Sequence, residues 1–151
     1  MKKSAGILIY KKLKDELQVL LVHPGGPFWK NKDAGAWSIP KGEFNADEEP
    51  LAAAKREFEE ETGLAISGKF LPLTPVKQKS GKMIYAWAVE NDIELSSVKS
   101  NLFEMEWPPR SGKTQSFPEI DKASWFTVNE AKKKIVPGQF SFIQELLQLL
   151  Q

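Results

Sequence analysis

Three glutamates, Glu57, Glu60 and Glu61, fall at i, i+3 and i+4 in the helix-forming run LAAAKREFEEET. On a helix their carboxylates rise from one face within reach of one another. Like charges so placed repel and cost stability unless cations fill the space between them. Oxygen-only ligands suit a hard divalent ion, magnesium first and manganese second. A solvated acidic face is the plain alternative, since charge runs on helices are common. Cysteine is absent, which removes disulfides, zinc–thiolate sites and thiol chemistry and leaves carboxylates as the available metal ligands. His23, the one histidine, follows a strand-like run and reads as structural.

From Gly42 to Leu64 the chain reads GEFNADEEPLAAAKREFEEETGL, with Gly42, Glu48, Arg56, Glu57, Glu60, Glu61 and Gly63 at set spacings and Phe58 and Leu64 in apolar slots. The segment resembles the Nudix box, G-x5-E-x7-R-E-U-x-E-E-x-G-U with U a bulky apolar residue, at every fixed position. The resemblance implies a Nudix α/β/α sandwich, with residues 1–151 as a single domain. It implies a hydrolase that cuts a phosphate–phosphate bond in a nucleoside diphosphate derivative. It also implies that the carbonyl of Lys41 and the carboxylates of Glu57, Glu60 and Glu61 hold one to three divalent ions, with Glu48 adding a ligand through water. Arg56 should hold Glu57 in place, because an arginine fork orients a carboxylate bidentately and offsets acidic repulsion. Divalent ions would neutralise diphosphate oxygens and activate a water for in-line attack on phosphorus. By position, the base that takes that water's proton is Glu57 or Glu61.

Such enzymes complete the metal site with a carboxylate from a distant loop, and Glu104, Glu106, Glu119 and Asp121 lie in a suitable stretch. Glu119 is favoured, because FPEIDKASWF resembles the P-E-F-D-x-W-x-W segment of the RNA 5′-pyrophosphohydrolase and dinucleoside polyphosphate hydrolase branch. A turn acid before a strand is its alternative. Phe28, Trp29, Trp37 and Trp107 are candidates to stack a base, which an aromatic face does without demanding base identity. Most such rings serve the core, and Trp37, in a strand-like run, is expected to be buried. Lys41, Lys79, Lys82 and Arg110 are candidates to meet a polyphosphate, Arg110 in the WPPR turn first among the surface bases. Ser111-Gly112-Lys113-Thr114 imitates the end of a P-loop, but Trp107 stands where that motif needs its first glycine and no helix-like segment follows. Gly25-Gly26 lacks dinucleotide-binding spacing and reads as a turn.

The elements that must position these groups follow from periodicity. Ala5–Tyr10 and Leu17–Val22 predict a hairpin, and Phe70–Val76 with Met83–Val89 a second strand pair. Pro24 to Gly42 predicts a shaped loop with a short strand near Trp37–Ile39. Pro50 opens a helix that Gly63 stops. A long loop should run to Asp121, a short strand cover Trp125–Val128, and an amphipathic helix close the chain through Phe140, Ile143, Leu146, Leu147 and Leu150. The order argues for an α/β fold, α+β by stricter bookkeeping, with a mixed sheet between helices. Charge is nearly balanced, 21 Lys and Arg against 20 Asp and Glu, and no apolar stretch approaches a membrane span. A cytoplasmic protein with a small nucleotide partner, no membrane and no stable nucleic-acid partner is expected, acting as a monomer or homodimer.

Within the family the WSIPKGE entry to the box and the PEID segment look more like dinucleoside polyphosphate hydrolases than sugar-nucleotide or coenzyme A enzymes. Enzymes for ADP-ribose often carry a proline past the box where this chain has Ser80. Diadenosine tetraphosphate is therefore the first expected substrate, with Tyr85, slightly late for the tyrosine of such enzymes, as a contact. Hydrolysis of damaged nucleoside triphosphates comes second. From a different class, a sensor could bind nucleotide without cutting it, although the intact glutamate set argues against that. Triphosphorylated RNA ends are a third possibility, which the net charge of +1 hardly supports.

Overall fold

A computed structural model describes residues 2–151. The expected first hairpin is β1 (Lys3–Leu13) with β2 (Glu16–Pro24), antiparallel from Tyr10 opposite Val19 to Leu13 opposite Glu16. The remaining strands are β3 (Lys41–Phe44), β4 (Leu71–Lys77), β5 (Met83–Glu90), β6 (Leu102–Glu106), β7 (Thr114–Pro118) and β8 (Ile120–Thr127). The helices are α1 (Pro50–Thr62), α2 (Val128–Lys134) and α3 (Phe140–Leu149).

The six-stranded sheet has the order β4-β5-β1-β2-β8, with β3 joined to β1, and β6 and β7 pair separately. β1 runs parallel to β5 along one edge. Its other edge is divided: Lys3–Gly6 pair with β3, and Tyr10–Leu13 pair with β2. Two partners on one edge must splay apart, so β2 leaves β1 and pairs with β8 instead. The segment Ser38–Pro40 fills the fork, Ser38 exchanging backbone bonds with Val22 and the Pro40 carbonyl accepting from Ile7 N–H at 3.1 Å.

Alternation along the strands sends side chains to two cores. Ala5, Ile7 and Ile9 pack with Ala53, Ala54 and Phe58 of α1 on one face. Leu8, Leu21 and Ile84 pack with Ala131, Phe142, Ile143 and Leu146 of α2 and α3 on the other. The fold is thus an α/β/α sandwich around a mixed sheet, as expected. Among the described residues no helix is long and apolar enough to cross a membrane.

Four local expectations need correction. Trp37 and Ser38 make only isolated bridges, and the strand in this stretch is Lys41–Phe44 inside the box, where the free half of the β1 edge accepts it. The long loop to Asp121 holds the β6–β7 hairpin, in which Phe103 and Met105 of β6 alternate with exposed Glu104 and Glu106 while β7 shows no alternation. β8 begins at Ile120 rather than Trp125, its first turns paired only to β2. Val128 opens α2, which starts with a capping box in which Thr127 and Glu130 satisfy each other's backbone.

Candidate active site

α1 is oriented by its apolar stripe. Glu49 caps it by accepting from Ala52 N–H at 2.8 Å, Pro50 takes the first turn, and Gly63 ends it with φ 75°. Ala54, Phe58 and Thr62, four residues apart, are buried toward the sheet. Glu57 and Glu61 sit one position back from Phe58 and Thr62, on the flank facing β3, while Arg56 and Glu60 lie a further step round toward solvent. The Glu57 carboxylate rests on the backbone of Gly42: a Cβ there would land on its oxygen. The box therefore needs glycine at 42 so that strand and carboxylate can meet.

Burial raises Glu57 above the ordinary carboxylate range, with Arg56 opposing and the charges of Glu60 and Glu119 adding to the rise. Burial pushes Glu61 up to about 8, against the pull of Lys41 and with the push of Glu119 and Glu57. Lys41 is lowered, by burial first and by Lys82 second. Glu119, at the junction of β7 and β8, is thus brought from far along the chain close enough to act on both box glutamates.

Arg56 is engaged differently from the expectation. Its fork closes on Glu48, Nε to Oε2 at 2.9 Å and Nη2 to Oε1 at 3.0 Å, and only Nη1 reaches Glu57, at 2.9 Å, and Glu60, at 3.2 Å. Glu48 also accepts from Asn45 N–H at 3.2 Å. Through these bonds Glu48 braces the loop before α1 against the helix.

A pocket of about 400 Å³ opens in the β2–β3 fork, with Val22, Ile39, Ile120 and Val136 as apolar walls and Trp29 beside it. Lys41, Glu61, Gln78 and Glu119 supply its polar side. Trp107 and Arg110 lie beyond it, Trp107 edge-to-face with Phe28 at 5.6 Å and Arg110 in the β6–β7 turn with φ 62°. Tyr85 sits on the α1 side of β5 against Phe44, centroids 6.0 Å apart, and is not among the residues that line the pocket. Trp37 is buried as expected, its indole N–H donating to Asp33 at 2.8 Å. His23 is buried too, Nδ1 at 2.8 Å from the Asp121 carboxylate and Nε2 against the Lys32 carbonyl, so it ties the loop after β2 to β8.

Two glutamines join the site unannounced. Gln139, buried between α2 and α3, accepts from Ile39 N–H at 3.0 Å and donates to Ser38 at 3.1 Å, fixing the pocket wall. Gln78 lines the pocket from the end of β4. A single polar residue near a turn or between helices carries no periodic signal, but PGQF could have been read as a cap region.

Among the described residues no three acids or histidines converge into a ready metal cage, and Glu60 is turned to Arg56. The donors nonetheless fit a hard divalent ion. Glu61 Oε2 is buried with no hydrogen-bond partner, and Glu57, Glu61 and Glu119 repel one another, two costs that a cation would relieve.

A carboxylate-bearing loop–helix–loop on an α/β/α sandwich, open to a nucleoside-sized pocket, puts this domain in the class of hydrolases that act on pyrophosphate bonds. Residues 2–146 match the model of the NUDIX domain, and the chain belongs to the Nudix family, whose enzymes generally use divalent metals. An octanoyltransferase of Myxococcus xanthus is 28% identical over 133 residues, covering 88% of this chain. The chain spans about a third of that relative's length, 33%. The fold resembles a binary complex of a C. elegans Ap4A hydrolase, TM-score 0.66 at 20% identity, covering 97% of each chain. It resembles equally the NUDIX domain of Shewanella oneidensis NrtR complexed with ADP ribose, TM-score 0.66 at 14% identity, covering 99% of this chain and 88% of that one.

Proposed function

We propose that the chain hydrolyses a pyrophosphate linkage in a nucleoside diphosphate derivative with magnesium, and that its substrate is a bis(5′-nucleosyl) tetraphosphate, diadenosine tetraphosphate first. One observation carries the reading: Glu61 places a buried, unpartnered carboxylate oxygen beside a pocket of about 400 Å³, next to Glu119 and Lys41. Glu57, Glu61, Glu119 and the Lys41 carbonyl would hold the ion, Glu60 joining them when it leaves Arg56. Once bound, magnesium supplies neutralisation of phosphate charge and a water acidic enough to attack phosphorus.

The chain's own groups do the rest. The apolar walls take a nucleoside and exclude bulk water, and Trp29, still partly exposed, offers a stacking face. Lys41 brings a positive charge to the phosphates. Glu57 and Glu61, both raised above the ordinary range, are the two groups positioned to accept the water's proton. Arg56 and Glu48 keep α1 and the loop before it in register.

The test is release of phosphate, pyrophosphate or nucleotide from dinucleoside polyphosphates, nucleoside triphosphates and sugar nucleotides with magnesium, for wild type and Glu61→Gln. Diadenosine tetraphosphate yielding ATP and AMP, lost in the variant, is the expected result; preference for a nucleoside triphosphate would replace the substrate and keep the reaction. Nucleotide binding without turnover is the second reading, favoured by the turn of Glu60 toward Arg56 and the likeness to a Nudix domain complexed with ADP ribose. Wild type that binds but cuts nothing on the panel would establish it.

A further inference from the structure

A second cleft of about 300 Å³ lies between the loop after β2 and the β6–β7 hairpin, lined by Pro27, Lys30, Trp107, Gln115, Phe117 and Asp121. The catalytic pocket does not use it. Its rings are Trp107 and Phe117, and Phe28, edge-to-face on Trp107, is left 60% exposed. Trp29, on the pocket side of the same loop, is 40% exposed. Two large aromatic residues left exposed, Phe28 and Trp29, beside the half-buried rings of Trp107 and Phe117, mark a place where a flat apolar group docks. Lys30, Gln115 and Asp121 bring a cation, an amide and a carboxylate to the same cleft, enough donors and acceptors for the edge of a base or a ribose.

The cleft and the pocket are two sides of one wall. From the loop, Pro24 and Trp29 line the pocket, while Gly26, Pro27 and Lys30 line the cleft. From the end of the hairpin, Glu119 and Ile120 line the pocket, while Pro118 and Asp121 line the cleft. The wall is rigid. Gly25 N–H donates to the Glu119 carbonyl at 2.9 Å, and a Cβ on Gly25 would strike the Pro118 carbonyl, so only glycine lets the strands close. His23 contacts both the Asp121 carboxylate and the Lys32 carbonyl, tying the loop to β8.

We propose that this cleft is the subsite for the second nucleoside of a two-ended substrate, stacked against Trp107 and Phe28. Its other nucleoside occupies the pocket, and the phosphate chain crosses the wall past Glu119. The inference rests on the pyrophosphohydrolase reading and deepens it, since a single-ended nucleotide leaves the cleft empty.

The discriminating pair is diadenosine tetraphosphate and adenosine 5′-tetraphosphate, which share the phosphate chain and differ by one nucleoside. For wild type, Trp107→Ala and Trp107→Phe, the measurement is the ratio of kcat/KM between the two. Wild type should favour the two-ended compound, chiefly through KM. Trp107→Ala should lose about tenfold of that preference, as expected for one stacked base, and Trp107→Phe should retain most of it. A ratio unchanged in Trp107→Ala, whether or not both rates fall together, overturns the subsite, because a merely structural role lowers both alike. If wild type cuts neither compound, the dinucleoside tetraphosphate reading fails separately. The ratio of their Kd values, measured calorimetrically with calcium replacing magnesium, then decides the subsite by the same criterion.

Discussion

At Gly42 the backbone leaves room for the Glu57 carboxylate and for nothing larger. Gly42→Ala should therefore displace Glu57 or push β3 from α1. Because a misplacement of about 1 Å in a reacting site can cost roughly a hundredfold, kcat should fall by about that factor while the far-ultraviolet spectrum stays unchanged. Steady-state kinetics beside circular dichroism check it, and near-normal turnover would mean that Glu57 has another place to go. The identity and spacing of the box glutamates, Arg56 and Gly42 were all legible in the sequence. Their pairing was not. Arg56 has three glutamates in reach, and which two oxygens its fork takes depends on how the loop before α1 folds back, a tertiary fact that puts Glu48 in the fork and Glu57 at its edge. Glu119, singled out by its motif, does line the pocket; Gln139 and Gln78, which line it too, have no motif.

Elements with strong period or strong punctuation were legible: the β1–β2 hairpin, the β4–β5 pair, α1 between Pro50 and Gly63, and the closing helix. β3 was hidden because four residues, one of them glycine, have no readable alternation, and its pairing depends on an edge that β2 vacates. β7 was hidden because it is polar and shows no alternation, whereas the Phe103–Glu104–Met105–Glu106 alternation of β6 was a missed signal. α2 is short, polar and rich in lysine, and its Thr127–Glu130 box was the missed signal. The link between α2 and α3 is more than a connector, because Gln139 satisfies the buried backbone of Ile39 across the pocket wall. Gln139→Ala leaves that N–H unpaired and should cost about 1–3 kcal/mol. Denaturant unfolding measures it, together with a raised KM as the wall loosens. On the opposite side of the sheet, Phe58→Ala empties a fully buried site and should cost about 3–5 kcal/mol. A loss under about 1 kcal/mol would mean that α1 repacks, and that its stripe does not set where the glutamates point.

For the molecule as a whole, the carboxylate cluster makes folding, protons and metal one linked equilibrium. In the metal-free protein burial raises Glu61 to about 8 from the ordinary carboxylate value of 4.5. Between those values the folded chain holds a proton that the unfolded chain has lost, so stability must fall as pH rises through that window, and Glu57, shifted the same way, adds to the slope. The contribution is fully present below the unfolded value and gone above the folded one. Magnesium competes with the same proton, since a ligand must be ionised to bind it. The increase in Tm on adding magnesium should therefore grow between pH 6 and about 8.5, as ionisation no longer has to be driven by the metal. Glu61→Gln should flatten the metal-free pH profile, raise metal-free stability at the alkaline end and shrink the magnesium-dependent increase. Differential scanning fluorimetry over pH, with and without magnesium, reads all three at once. A wild-type profile that is level from pH 5 to 8 without metal would mean that water reaches Glu61 and that its buried oxygen is not what draws the ion.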